Sequence, residues 1–166
     1  MELLKLASAW AKAEVFSSKF FILFGVLFLL SSYGFWQLGK TDLAKAFISP
    51  LCICGILLLL IGGGLTYTNL SREKEFPVAH KEDAAVFLQM EIARANKTIK
   101  EFELVVLTII PAIIAVLSLV FIFFENPNAR AISMSVMAMM IVILLIDTGA
   151  YTRMKAYKDQ LTIIQK

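Results

Sequence analysis

The sequence predicts an all-α integral membrane protein with four transmembrane helices, and three observations lead there. The 166 residues are 59% hydrophobic and 17% charged, where a soluble domain has roughly 45–50% apolar and about 25% charged residues. The apolar residues gather in four runs, 20–37, 48–67, 104–124 and 132–151, each close to the ~20 residues that cross a hydrocarbon core as a helix. Thirteen of the sixteen cations lie outside the two short connections between paired runs, the asymmetry expected of a polytopic chain. Inside lipid every backbone amide must bond within its own segment, so each run reads as a helix.

The first run, 20–37, follows a charged lead-in too long for a signal peptide, and "SSYGFW" after it is a poor cleavage site. The sequence therefore predicts a retained first span. Residues 1–19 form an amphipathic helix before it. They either extend the bundle away from the membrane or lie flat on its surface with Trp10 facing down. The second run, 48–67, begins with Pro50 in its first turn, where the missing N–H is harmless. A short cytoplasmic helix follows, and Pro77 after "SREKEF" is expected to end it. An amphipathic helix over 82–103 leads into the third run, 104–124, which Pro111 kinks. "ENPNAR" at 125–130 makes a tight turn into the fourth run, 132–151, and a C-terminal helix over 152–166 completes the chain.

Lys5, Lys12 and Lys19 precede the first span, six cations lie between the second and third, and four follow the fourth; only Lys40, Lys45 and Arg130 occupy the connections. Both termini and the central segment are accordingly predicted to be cytoplasmic, in a bacterial inner membrane. Tyr33, Phe35, Trp36, Phe47, Phe123 and Phe124 would mark the opposite interface. The net charge of +3 is a topology signal and does not suggest nucleic acid as a partner.

The two halves share a plan. Leu3, Leu6, Trp10, Ala13, Ser17 and Phe20 recur at three- and four-residue steps, as do Ala85, Leu88, Ile92, Ala95, Ile99 and Phe102, with a constant shift of 82 residues. After the hairpins, Tyr67 and Thr68 correspond to Tyr151 and Thr152, with a shift of 84. The reading is two parallel-repeated hairpins, 1–76 and 77–166, each crossing twice, as in parallel transporter repeats. Stripes of this period form seams that another helix fills. Leu6, Trp10, Leu88, Ile92, Ala95, Ile99, Met154 and Leu161 are thus the candidate residues for joining copies of the chain or a second membrane or cytoplasmic protein.

Asp147 is the one carboxylate within a run. It lies four residues before Tyr151, about 6 Å along the axis and near the inner boundary. Intramembrane acids are functional candidates by default, but this depth also permits a structural pair with Lys100 or Lys19. Tyr151 and Lys155 continue its stripe at helical spacing. The "GGG" at 62–64 would let Gly62, Gly63 and Gly64 pack closely against that stripe, or else unwind and expose carbonyls.

Chemistry beyond this is sparse. Cys52 and Cys54, two apart on one helix, point to different faces and read as packing residues. With His80 the lone histidine, no metal site suggests itself. The sequons at 69–71 and 96–98 fall on the predicted cytoplasmic side. No catalytic set and no cofactor site emerge. The expected function is a non-enzymatic membrane subunit that oligomerises or binds a partner through cytoplasmic helical seams. The alternative is an oligomeric ion channel or small transporter with Asp147 near its cytoplasmic mouth.

Overall fold

A computed structural model describes residues 2–165; Met1 and Lys166, the outer ends of the first and last expected helices, lie outside the described residues. The elements run α1 (Glu2–Leu38), α2 (Asp42–Ala46), α3 (Ile48–Glu82), α4 (Ala84–Leu104), a π-helical turn (Val105–Ile109), α5 (Ile110–Phe123) and α6 (Pro127–Gln165). They make four rods of 37, 41, 40 and 39 residues, each long and apolar enough to cross a membrane. At 1.5 Å per residue a rod is about 55–60 Å long, nearly twice the ~30 Å of a hydrocarbon core. The surplus of every rod lies at the end that carries both termini, here called the terminal end. The short connections mark the hairpin end.

α1 and α3 pair along most of their lengths, α6 packs against both, and α4 joins them at the terminal end. The α1–α3 contact is close because two glycines face each other. A Cβ on Gly25 would stand 3.0 Å from the carbonyl oxygen of Gly55, and one on Gly55 would stand 2.9 Å from that of Gly25. Two apolar clusters result. One, at the terminal end, gathers residues including Leu3, Ala7, Phe76, Phe87, Ile99, Met154 and Leu161. The other holds Phe21, Cys54, Leu58, Met139 and Val142 midway along the rods. α5 is the outlier: it leans chiefly on α6, and 11% of the third rod's apolar stretch is buried against 28% in the other three.

Three boundaries need physical comment. Pro77 does not end a helix, contrary to expectation; α3 runs through it to Glu82. Pro77 is exposed, and so near a helix end its missing N–H strands one carbonyl that can turn outward. The chain breaks instead at Asp83, whose backbone is extended (φ −156°, ψ 107°). Its Oδ1 accepts from the N–H groups of Ala85 and Val86 at 2.8 and 3.0 Å, which is N-capping by a carboxylate. The second half thus starts six residues later than the proline suggested.

Pro111 does perturb its helix. The π turn immediately before it lets the Ile110 N–H reach back to the Val105 carbonyl, so an extra residue is accommodated where the proline ring would crowd the preceding turn. Finally, α1 is unbroken from Glu2 to Leu38, with Leu3, Ala7, Trp10 and Ala11 buried in the bundle. That continuity leaves no bend at which its first five turns could lie flat on a surface.

Candidate functional site

Two polar assemblies lie inside the rods, one above the other, and both are built by α1 and α6 with help from α3 and α4. The outer one is at the terminal end. α4 presents Phe87, Glu91, Ala95 and Ile99 inward, a stripe of i, i+4 steps. This rotates the expected seam: Leu88 and Ile92 pack only at the edge of the cluster, Ala85 is exposed, and Glu91 is 5% exposed. The other expected seam residues, Trp10, Ala95, Ile99, Met154 and Leu161, are buried against one another, and Leu6 borders them. The seams are filled by helices of the same chain.

A buried carboxylate must be paired, and Glu91 is. Arg94, one turn on, donates from Nε to Glu91 Oε1 at 2.9 Å and from Nη2 to Oε2. Tyr157 of α6 donates its hydroxyl to Glu91 Oε2 at 2.6 Å. Arg94 also lies over the Trp10 ring, 4.1 Å from its centroid, and Trp10 stacks on Tyr157 at 5.3 Å. One ion pair thereby ties α1, α4 and α6 together. Burial, and then the bond to Glu91, push the Tyr157 phenol well above its ordinary pKa, so it stays a donor. Arg72 of α3 donates to Asn69 Oδ1 at 3.1 Å. Burial lowers its pKa, and the neighbouring Arg94 lowers it further. The Trp10 indole N–H is buried without an acceptor among the described residues.

The inner assembly is a cavity of about 290 Å³ between α1, α3 and α6. Glu14, Ser17, Ser18 and Phe21 line it from α1; Ile61, Leu65 and Asn69 from α3; Phe102 from α4; Ile143, Ile146, Asp147 and Ala150 from α6. Most of its polar groups are already engaged. Arg153 donates from Nε to Glu14 Oε1 at 3.0 Å. Ser18 bonds to the Val15 carbonyl and to Thr66 Oγ1 at 2.6 Å, and Asn69 Nδ2 donates to the Leu65 carbonyl. Asp147 and Ser17 are different. Asp147 has no cation within 4.0 Å among the described residues, and Ser17, 9% exposed, makes no side-chain hydrogen bond there.

The surroundings anticipated for Asp147 are thus not those observed. It pairs with neither Lys100 nor Lys19; both lysines are exposed while Asp147 turns inward. Tyr151 leaves the Asp147 stripe to donate to Glu103 at 2.9 Å, and Lys155 lies over the Tyr151 ring at 5.2 Å. The triple glycine does not meet Asp147 either. Only Gly62 is a close-packing position, and it packs on α1, where a Cβ would stand 2.9 Å from that of Phe21; Gly63 and Gly64 face open space. All three remain helical. α3 borders the cavity through Ile61, Leu65 and Asn69 instead.

Sequence reasoning missed Glu14, Arg153 and the Glu91–Arg94–Tyr157 set. A Glu and an Arg three apart within an apolar stripe was the available signal for Glu91; nothing local marked the Glu14–Arg153 pair, 139 residues apart in sequence. No family model, characterised protein or solved structure matches this chain.

Proposed function

We propose that this chain is a non-enzymatic integral membrane protein, formed of two repeated hairpins with both termini cytoplasmic in a bacterial inner membrane, that works as an oligomeric or partner-binding subunit through its terminal end. The cation bias supports the orientation. One observation carries the binding role. Large apolar residues exposed along the spans have lipid as their partner, but Val78, Val86, Met90 and Ile163 are more than half exposed on the lengths of helix beyond the four apolar runs. Val86 and Met90 share one face of α4 at i, i+4 spacing. Because the seam residues cover one another within the protomer, the contact surface is this outer face and not the seams themselves.

The test is native mass spectrometry of the protein extracted gently from its own membranes. We expect a stoichiometric assembly, with itself or with a second protein, that Val86→Asp with Met90→Asp disperses while the thermal stability of the protomer stays unchanged. A monomer with nothing bound would sink the proposal.

The channel or transporter reading draws support from Asp147 lining an internal cavity. It differs from the expected pore between copies, since the cavity lies within one chain. Ion flux in liposomes that Asp147→Asn alters, with assembly intact, would favour it; no flux at all would remove it.

A further inference from the structure

We propose that the cavity between α1, α3 and α6 is a binding site for a small organic monocation of the substituted-ammonium class. The inference goes beyond assembly and holds with or without a partner or transport.

Charge is the first argument. Glu14 is matched by Arg153, whose Nη2 is buried without an acceptor among the described residues, and half-buried Asp147 is the carboxylate on the wall with no cation within 4.0 Å among them. An isolated carboxylate away from water is costly unless it is paired or takes a proton. A ligand of single positive charge supplies the pairing.

The second argument is Ser17. Its side chain is nine-tenths buried, lines the same cavity and has no hydrogen-bond partner among the described residues. Neighbouring Ser18 is doubly bonded, whereas the Ser17 hydroxyl is left open. Ser17 is a free acceptor on the α1 wall of the cavity that Asp147 lines from α6.

Composition then separates an organic cation from a metal ion. Hard metal cations take six or more oxygen ligands. The cavity offers four uncommitted side-chain oxygens, the two of Asp147, Oε2 of Glu14 and that of Ser17, still short of such a shell. The rest of the wall is mainly apolar and includes the rings of Phe21 and Phe102, surfaces that suit alkylated ammonium groups. A volume of about 290 Å³ holds about ten groups of water size, at roughly 30 Å³ each, enough for an ammonium head with a short apolar body.

The experiment is isothermal titration calorimetry on the full chain in mild detergent, using choline chloride, its uncharged carbon isostere dimethylbutanol, and sodium chloride. Saturable choline binding at one per chain is expected, with the isostere weaker by about tenfold or more, a difference of about 1.4 kcal/mol, and no competition from sodium. Asp147→Asn should weaken choline by a similar factor, and Ser17→Ala by a few-fold, without altering thermal unfolding. Should Asp147→Asn fail to fold, the wild-type comparison of choline with its isostere still decides. Equal binding of the two, binding of sodium in place of choline, or no binding heat from choline would each overturn the proposal. A result against assembly by mass spectrometry would leave this one untouched.

Discussion

Glu91 and Asp147 are both carboxylates turned into the same bundle, and the difference between them separates a lock from a site. Both oxygens of Glu91 are bonded, to Arg94 and Tyr157, beside the stacked rings of Trp10 and Tyr157. Asp147 faces about 290 Å³ of space with no cation within 4.0 Å among the described residues. A saturated buried ion pair fixes how helices meet; an unsaturated carboxylate on a cavity wall is free to bind something else. The two therefore predict opposite responses to mutation.

The largest effect should come from breaking the lock. Arg94→Ala strands Glu91 in the interior, which costs about 3–5 kcal/mol for a buried pair, and lifts the cation from Trp10. Thermal unfolding in detergent followed by circular dichroism should show a marked fall. Asp147→Asn should leave the same transition almost unmoved, because no ion pair is lost. Equal effects of the two changes would erase the distinction.

Tyr157→Phe removes one donor from Glu91 and should cost about 1–3 kcal/mol. It should also change the alkaline limb of stability. The Tyr157 pKa is raised in the folded state above its ordinary value of 10.0. Its contribution is therefore fully present below pH about 10 and is lost as pH rises above that, where the unfolded state releases the proton and the folded state keeps it. Unfolding midpoints of wild type and Tyr157→Phe should accordingly converge above pH 10; a constant gap would mean that the phenol titrates normally.

Steric changes sharpen a related contrast between glycines. Gly55→Ala sets a methyl 2.9 Å from a backbone oxygen of α1 and should cost about 1–3 kcal/mol by overpacking. Gly63→Ala meets nothing within 4 Å and should stabilise by up to about 1 kcal/mol through helix propensity alone. The same unfolding assay reads both, and the Gly63→Ala gain is the smaller of the two.

The four apolar runs were plain in the sequence because lipid-length hydrophobicity is a local property, and the structure has four helices at those places. The period of the terminal-end stripes was also legible, but their phase was not. Leu88 and Ile92 looked like seam centres because they are larger and greasier than Glu91, and the partner that makes Glu91 burial tolerable, Tyr157, is 66 residues away. A still greater separation, 139 residues, hid the Glu14–Arg153 pair. Pro77 misled for a local reason: proline is a strong breaker in a helix interior, yet the weaker-looking Asp83, with its capping carboxylate, set the boundary.

The π turn beneath Pro111 has a mechanical consequence. α1, α3 and α6 run unbroken through both polar assemblies, so the cavity and the Trp10–Tyr157 stack share the same continuous helices. The third rod is jointed. Its α4 half is clamped by Glu91 and Arg94, while its α5 half, beyond the π turn, rests chiefly on one neighbour. The least restrained length of helix is therefore α5, set off from the clamped α4 half by the π turn.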